Sequence, residues 1–372
     1  VSRLPVAIDV TPLLGVRTGI GRSVEEVLTA LQALPDGPQL LPYALGRPRR
    51  RAELPAGATL VPVPTRLLLN AWTRTAHPAV DRWTRRARVL HATAFVAPPS
   101  RLPTVVTVHD CAFALHPGTV ASTVHAFDPL LRRAVARGAH VHTTTAQVAG
   151  ELEELLGIDL RGQGRLSVIP FAVPRLGPAT ARQAGAAPYV LALGTLEPRK
   201  NLPSLVRAFG ALAGAHPELQ LVLAGPEGPG TEAVRTAVAL LPSPARARVR
   251  IPGAVDGPSR DRLLAGAAVL AYPSLYEGFG FPVLEAMTVG TPVVAADLPA
   301  LREVARDGAS YAAAGGDDAL AEALHRVLDD EVAREELVQR GRAVAAGFSW
   351  ERTAVALAEL YRRLSTSSYT AA

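Results

Sequence analysis

Tyr189-Val190-Leu191-Ala192-Leu193-Gly194-Thr195-Leu196-Glu197-Pro198-Arg199-Lys200-Asn201 joins a continuous apolar run to a turn that carries two cations. The run shows no polar alternation, so it reads as a strand covered on both faces. Gly194 allows a tight turn after it, Pro198 stiffens the approach, and Asn201 is placed to cap a helix from about residue 202. Strand, turn and helix in that order form the unit from which doubly wound parallel sheets are built. Lys200 is also the only lysine among 39 basic residues. Where arginine serves everywhere else, a retained lysine points to a site that fits a compact ammonium on a flexible stem.

The same alternation continues on both sides of this stretch. Downstream, strands are expected at 219–224, 249–251, 268–272 and 292–296, followed by helices at 317–329, 331–346 and 350–364 with no further strong strand. Upstream, strands are expected at 5–10, 59–63, 88–92, 104–109, 139–144 and 166–170, with helices near 20–34, 67–86, 119–137 and 146–157. Residues 172–188 are rich in Pro, Ala and Gly without periodicity and read as a linker. The expected class is therefore α/β, with two Rossmann-like doubly wound parallel-sheet domains facing a cleft. The expected boundaries are 1–175 for the first domain and 176–348 for the second. A C-terminal helix within 349–372 is expected to cross back to the first.

At 372 residues with 48% apolar and 19% charged side chains, the chain can bury two sizeable cores. A single cysteine excludes an internal disulfide framework and any multi-cysteine metal site. With no long uncharged apolar run and no signal-like start, the sequence predicts a cytoplasmic protein. The net charge of +6 is uneven: residues 1–180 carry 20 Arg against 12 acids (+8), and residues 181–372 carry 19 Lys+Arg against 21 acids (−2).

Two segments carry the chemistry. Arg199 and Lys200, at the entry to a helix with unpaired N–H groups, suit a di-anion such as a pyrophosphate. In Tyr276-Glu277-Gly278-Phe279-Gly280-Phe281-Pro282-Val283-Leu284-Glu285, the glycines permit close backbone approach and Pro282 suits a first helical turn. Glu277 and Glu285 can accept hydrogen bonds from sugar or ribose diols. Taken alone, Glu285 could equally complement a helix dipole and Glu277 be a surface acid.

Together, Gly194–Asn201 and Glu277–Glu285 resemble the GT-B-fold retaining glycosyltransferases of family 4, which include sucrose synthase and bacterial polysaccharide mannosyltransferases. Thr18-Gly19-Ile20-Gly21-Arg22 and Thr107-Val108-His109-Asp110 agree with that likeness. The resemblance implies that Arg199 and Lys200 bind the donor diphosphate near Gly194. It implies that Glu277 and the backbone of Gly278, Phe279, Gly280 and Phe281 meet the donor sugar and phosphate. Glu285, with Val283 and Leu284 on the same helix, would hold the ribose, and Pro252 and Gly253 would border the base. His109 would face the sugar from the first domain, and Gly19 and Gly21 would pass near the phosphate or acceptor. His91, His116 and His125 lack such a context.

The implied reaction moves a hexose, mannose from GDP-mannose, to a glycan or lipid-linked acceptor. UDP- or dTDP-sugar donors (glucose, GlcNAc or a deoxysugar) are the alternative. No resident cofactor is expected, and no metal, since no ligand spacing stands out. Arg47–Arg51 and the Leu67–Trp72–Trp83 stretch with its arginines raise peripheral contact with an anionic membrane, against a core-facing helix with a solvated arginine face. A basic polyanion-binding protein is the reading of another class. The basic residues lack interleaved aromatics, so nucleic acid is not an expected partner.

Overall fold

The structure, a computed structural model, describes residues 3–14, 19–46, 54–119, 126–173, 176 and 187–366. The chain divides into two compact units, one of Val1–Pro117, Ser122–Pro174 and Ser349–Ala372, the other of Gly118–Ala121 and Arg175–Phe348.

The first unit is a seven-stranded sheet of β1 (Pro5–Asp9), β2 (Gln39–Leu45), β3 (Thr59–Val61), β4 (Val89–Ala92), β5 (Thr104–Val108), β6 (His140–Thr143) and β7 (Leu166–Val168). Every pairing is parallel and the order is β3-β2-β1-β4-β5-β6-β7. The second unit holds β8 (Tyr189–Leu193), β9 (Gln220–Ala224), β10 (Val249–Gly253), β11 (Val269–Tyr272), β12 (Val293–Ala296) and β13 (Ser310–Ala312). Its order, β10-β9-β8-β11-β12-β13, is again wholly parallel. This is the doubly wound α/β architecture that the apolar runs predict.

In both sheets the winding reverses beside the first strand, between β1 and β4 and between β8 and β11. Crossovers on either side of such a reversal leave in opposite directions and open a crevice at the carboxyl ends of the strands. Helices cover the sheet faces. In the second unit Leu205 and Phe209 of the helix Leu202–Leu212 join Leu221, Leu223 and Val269 in one core. In the first, Trp72, Tyr43 and Leu90 are fully buried together. The helix Trp350–Thr366 belongs to the first unit, packs on the helix Gly19–Ala33 and is tied at its start by Trp350 Nε1 donating to Val173 O at 2.8 Å.

Several expectations need correction. β2 is absent from the sequence reading because Pro42 interrupts it; Pro42 pairs only with Ile8, since β3 joins the ladder from Tyr43 onward. β13 is three residues long, too short for a periodicity signal. The helix expected over 67–86 is instead Thr65–Trp72, an irregular stretch containing Pro78, and a short 3-10 turn Val80–Arg82. Trp72 is buried and donates to Pro78 O at 3.0 Å, while Trp83 packs against the core beneath Arg82. There is thus no continuous tryptophan-bearing basic helix in that stretch, and its tryptophans face inward. The helix expected over 119–137 is described as Phe127–Ala136. Arg47–Arg51, Thr18, His125 and most of the 172–188 segment lie outside the described residues.

Candidate active site of the second unit

The reversal between β8 and β11 is where the two chemical segments meet. β8 ends at Leu193 and leads into Gly194 and the 3-10 turn Pro198–Lys200; β11 ends at Tyr272 and leads into the loop carrying Glu277. Because the two strands are hydrogen-bonded neighbours, residues more than seventy positions apart arrive side by side. Lys200 Nζ lies 2.5 Å from Glu277 Oε1 and donates to Tyr272 Oη at 2.8 Å. Arg199 Nη1 donates to Glu277 Oε2 at 3.3 Å, and its Nε to Glu197 Oε2 at 2.9 Å. The backbone joins the loops as well, with Leu275 N donating to Arg199 O at 2.8 Å.

This cluster is largely withdrawn from water, with only 12% of the Lys200 side chain and 6% of the Glu277 side chain exposed. Burial pulls the Lys200 ammonium below the ordinary lysine range, and the Glu277 carboxylate opposes that shift. Burial pushes Glu277 upward, yet Lys200 and Arg199 prevail and hold it at about 2. Burial and the nearby Glu277 raise the Tyr272 phenol well above its usual value, so it stays neutral. At neutral pH the site therefore presents the cations Arg199 and Lys200, the Glu277 carboxylate and a neutral hydroxyl, with Glu197 as the second acidic partner of Arg199. Glu277 can accept hydrogen bonds there but has no proton to give.

Glycines set how closely the loops approach. A Cβ on Gly225, which follows β9, would lie 1.9 Å from Gly194 O, so only glycine lets that loop support the lysine turn. Gly280 sits at φ +92°, where a side chain is strained, and a Cβ would also meet Leu301 Cδ2 at 2.6 Å. Gly280 is the residue from which the helix Phe281–Val289 starts, with Pro282 in its first turn. Asn201 departs from the expected cap. It adopts a left-handed conformation at φ 51°, and its side-chain amide donates to Pro273 O at 3.3 Å instead of capping.

The remaining expected positions fall as follows. Glu285 lies in the first half of the helix Phe281–Val289, is 1% exposed and is ion-paired to Arg260. Val283 and Leu284 are fully buried, so their side chains belong to the core rather than to a ligand surface. Phe279 and Phe281 pack ring against ring in a tilted arrangement, with centroids 4.9 Å apart and planes 59° from parallel. Gly278 is buried in the same loop. Pro252 and Gly253 end the edge strand β10 at the same end of the sheet as Lys200, with Gly253 O accepting from Gly225 N at 2.9 Å.

Gly19, Gly21 and His109 belong to the first unit. The two glycines open the helix Gly19–Ala33, and His109 follows β5. His109 Nε2 donates to Thr93 O at 2.8 Å, which leaves Nδ1 as the unprotonated nitrogen of a ring kept neutral by burial. His91 is also buried there. It lies 2.7 Å from Tyr361 Oη and 2.8 Å from Thr107 Oγ1, which in turn lies 2.9 Å from His142 Nδ1.

Sequence reasoning did not single out Tyr272, Glu197 or Arg260. Glu197, two residues before Arg199, was legible in principle; Tyr272 and Arg260 become partners only through strand adjacency and helix packing. The fold also brings together His216, His325 and Asp329, with one ligand atom of each within 4.8 Å of the others, a grouping that no sequence spacing announces.

Comparison with known proteins places this geometry in a class. Residues 180–344 match the family model described as Glycosyl transferases group 1. The chain is 34% identical to O-antigen chain mannosyltransferase B of Escherichia coli over 177 residues, 47% of this chain and 46% of that protein. Sucrose-phosphate synthase from Thermosynechococcus elongatus has the same fold, with TM-score 0.74, 21% identity and coverage of 97% and 99% of the two chains. Anabaena Alr3699/HepE, solved in complex with UDP and glucose, gives TM-score 0.69 at 16% identity over 97% of this chain and 100% of that one.

The fold is GT-B, and the second unit carries a glycosyl transferases group 1 domain. The chain spans less than two thirds of the length of the curated relatives it matches, for instance 46% of the mannosyltransferase and 61% of the D-inositol 3-phosphate glycosyltransferase of Nocardia farcinica.

Proposed function

We propose that this protein is a retaining hexosyltransferase that binds a nucleotide sugar through its diphosphate at Arg199 and Lys200. The observation that carries the reading is the buried Arg199–Lys200–Glu277–Tyr272 cluster at the strand reversal of a group 1 domain. As the glycosyl–phosphate bond breaks, its electron pair stays on the diphosphate and positive charge develops at the anomeric carbon. Cations already fixed by Glu277, Glu197 and Tyr272 stabilise the departing charge without reorganising. The acceptor hydroxyl forms the new bond on the face the phosphate leaves, and the phosphate takes its proton. Glu277, ionised and shared between two cations, is suited to hold sugar hydroxyls rather than to act as an acid. No resident metal is invoked in this chemistry.

Mannose from GDP-mannose is the donor favoured by the likeness to a bacterial mannosyltransferase. A UDP-sugar is the second reading, prompted by the structural neighbour that holds UDP and glucose. The acceptor is a glycan or lipid-linked glycan at the cytoplasmic face of a membrane. Among the described residues no helix is long and apolar enough to cross one. A thermal-shift screen of GDP-, UDP-, dTDP- and ADP-sugars tests the proposal, since a ligand that binds only folded protein raises the melting temperature. GDP-mannose is expected to give the largest shift; no shift from any nucleotide sugar would end the reading.

A further inference from the structure

We propose that His216, His325 and Asp329 form a binding site for a divalent transition metal of the zinc class, at the end of the second sheet away from the lysine cluster. His216 lies in the turn between the helix Leu202–Leu212 and β9, before the strand begins; Lys200 lies beyond the carboxyl end of β8. In a parallel sheet those positions are at opposite ends, roughly 17 Å apart for strands of this length. His325 and Asp329 stand four residues apart on the helix Asp317–Asp329, so both project from one helical face.

The separations are those of a coordination polyhedron. His216 Nε2 lies 3.3 Å from His325 Nδ1 and 3.6 Å from Asp329 Oδ1, and His325 Nδ1 lies 2.9 Å from Asp329 Oδ2. A tetrahedral ion with bonds of about 2.0–2.1 Å separates its ligand atoms by roughly 3.3 Å. Hydrogen bonding satisfies the trio less completely. A proton on His325 Nδ1 directed at Asp329 cannot also serve His216 Nε2, and moving it to His216 deprives the shorter carboxylate contact. One ion seated between the three side chains, and bound through one Asp329 oxygen, would take a lone pair from each of them.

Two further features favour a cation there. Asp329 is the last residue of its helix, where the unpaired carbonyl groups leave partial negative charge. The His216 turn is held rigidly, since Arg248 donates to Ala213 O, His216 O, Pro217 O and Leu219 O at 2.6–3.1 Å. The helix Asp317–Asp329, which carries two of the ligands, packs on the helix Leu202–Leu212 that leads into the His216 turn, through a core that includes Leu212, Ala213, Leu324 and Val327. Two imidazoles and one carboxylate select zinc-class ions over magnesium or calcium, which prefer all-oxygen shells. A water would complete the tetrahedron. Bound metal would clamp the end of the helix to the turn before β9, a structural role remote from the diphosphate site.

The test uses tag-free, chelator-treated full-length protein, titrated with Zn²⁺ and separately with Co²⁺. One equivalent of Zn²⁺ by equilibrium dialysis is expected, with a raised melting temperature that Mg²⁺ does not reproduce. Co²⁺ should give the intense visible bands of a tetrahedral site. His216→Ala, His325→Ala and Asp329→Asn should each weaken binding at least tenfold, while metal-free circular dichroism and melting match the parent. Absence of a stoichiometric equivalent, or full-affinity binding by the His216→Ala/His325→Ala double variant, would overturn the assignment.

Discussion

The two units share a strand order and differ in what they place where the winding reverses. In the second unit the β8–β11 crevice holds Lys200, Arg199, Glu197 and Glu277, a compact set of paired charges. In the first unit the residues of β4, β5 and β6 and the turns after them are neutral and polar (His91, Thr93, Thr107, His109 and His142, all buried), and among the described residues the one buried acid beside them is Asp9 at the end of β1. His142 Nε2 must donate to Ile169 O, so its Nδ1 accepts from Thr107; Thr107 then accepts from His91 Nε2, and His91 Nδ1 accepts from Tyr361. One direction of donation satisfies the whole chain with both imidazoles neutral. One topology thus supports a charged crevice that can receive an anion and an uncharged network that fixes a core.

Acid should separate the units most strongly. Burial lowers His91 well below its ordinary value, His142 to about 4 and His140 to about 3. Below pH 6.5 the unfolded chain takes up protons that these folded rings refuse, so their contribution is lost as pH falls toward 4. Asp9, raised to about 6 by burial, shifts the balance the other way, and the three histidines outweigh it. Glu277, at about 2, has the same sign in a lower window: its contribution is intact above pH 4.5 and is lost as pH falls through 2. Trp72, Trp83 and Trp350 all lie in the first unit, so tryptophan fluorescence reports on that unit alone. Its urea midpoint is expected to drop between pH 7 and pH 5; an unchanged midpoint would break the contrast.

Next in size is Lys200→Ala, which removes a charge-stabilising donor and should lower kcat/KM by about 10²–10³-fold with the fold retained. Wild-type turnover in that variant would refute the diphosphate role. Arg260→Ala would leave the buried Glu285 without its guanidinium and should cost about 3 kcal/mol in chemical denaturation. A loss well below 1 kcal/mol would mean that Glu285 is held by other groups. Tyr361→Phe strips the donor from His91 Nδ1, for an expected loss of about 1–2 kcal/mol. If fluorescence-monitored unfolding shows no change, the single-direction network is wrong. The smallest effect concerns membranes: exposed Arg82, Arg85, Arg86 and Arg88 of the first unit should give weak, salt-sensitive co-sedimentation with anionic liposomes. No binding at low salt would remove that contact.

Continuous apolar runs made the parallel sheets legible, because a strand covered on both faces has no choice but to be apolar throughout. Pro42 hides β2, and Pro78 breaks a stretch whose apolar spacing reads as helix but whose tryptophans pack into the core. Within the site, Arg199, Lys200, Glu277 and the glycines were legible because a turn after a strand and before a helix is a local pattern. Tyr272 was not, since nothing local sets a strand's last residue against a turn seventy positions earlier.

The sequence by itself determined the class of fold, the cationic turn and the glycine-bearing acidic loop, all of which are written in contiguous residues. Only the tertiary structure decided which groups meet: Glu277 with Lys200, Glu285 with Arg260, His216 with His325 and Asp329. Strand order and helix packing make those pairings. They are set by how the whole core buries its apolar surface, and no short window of sequence carries that information.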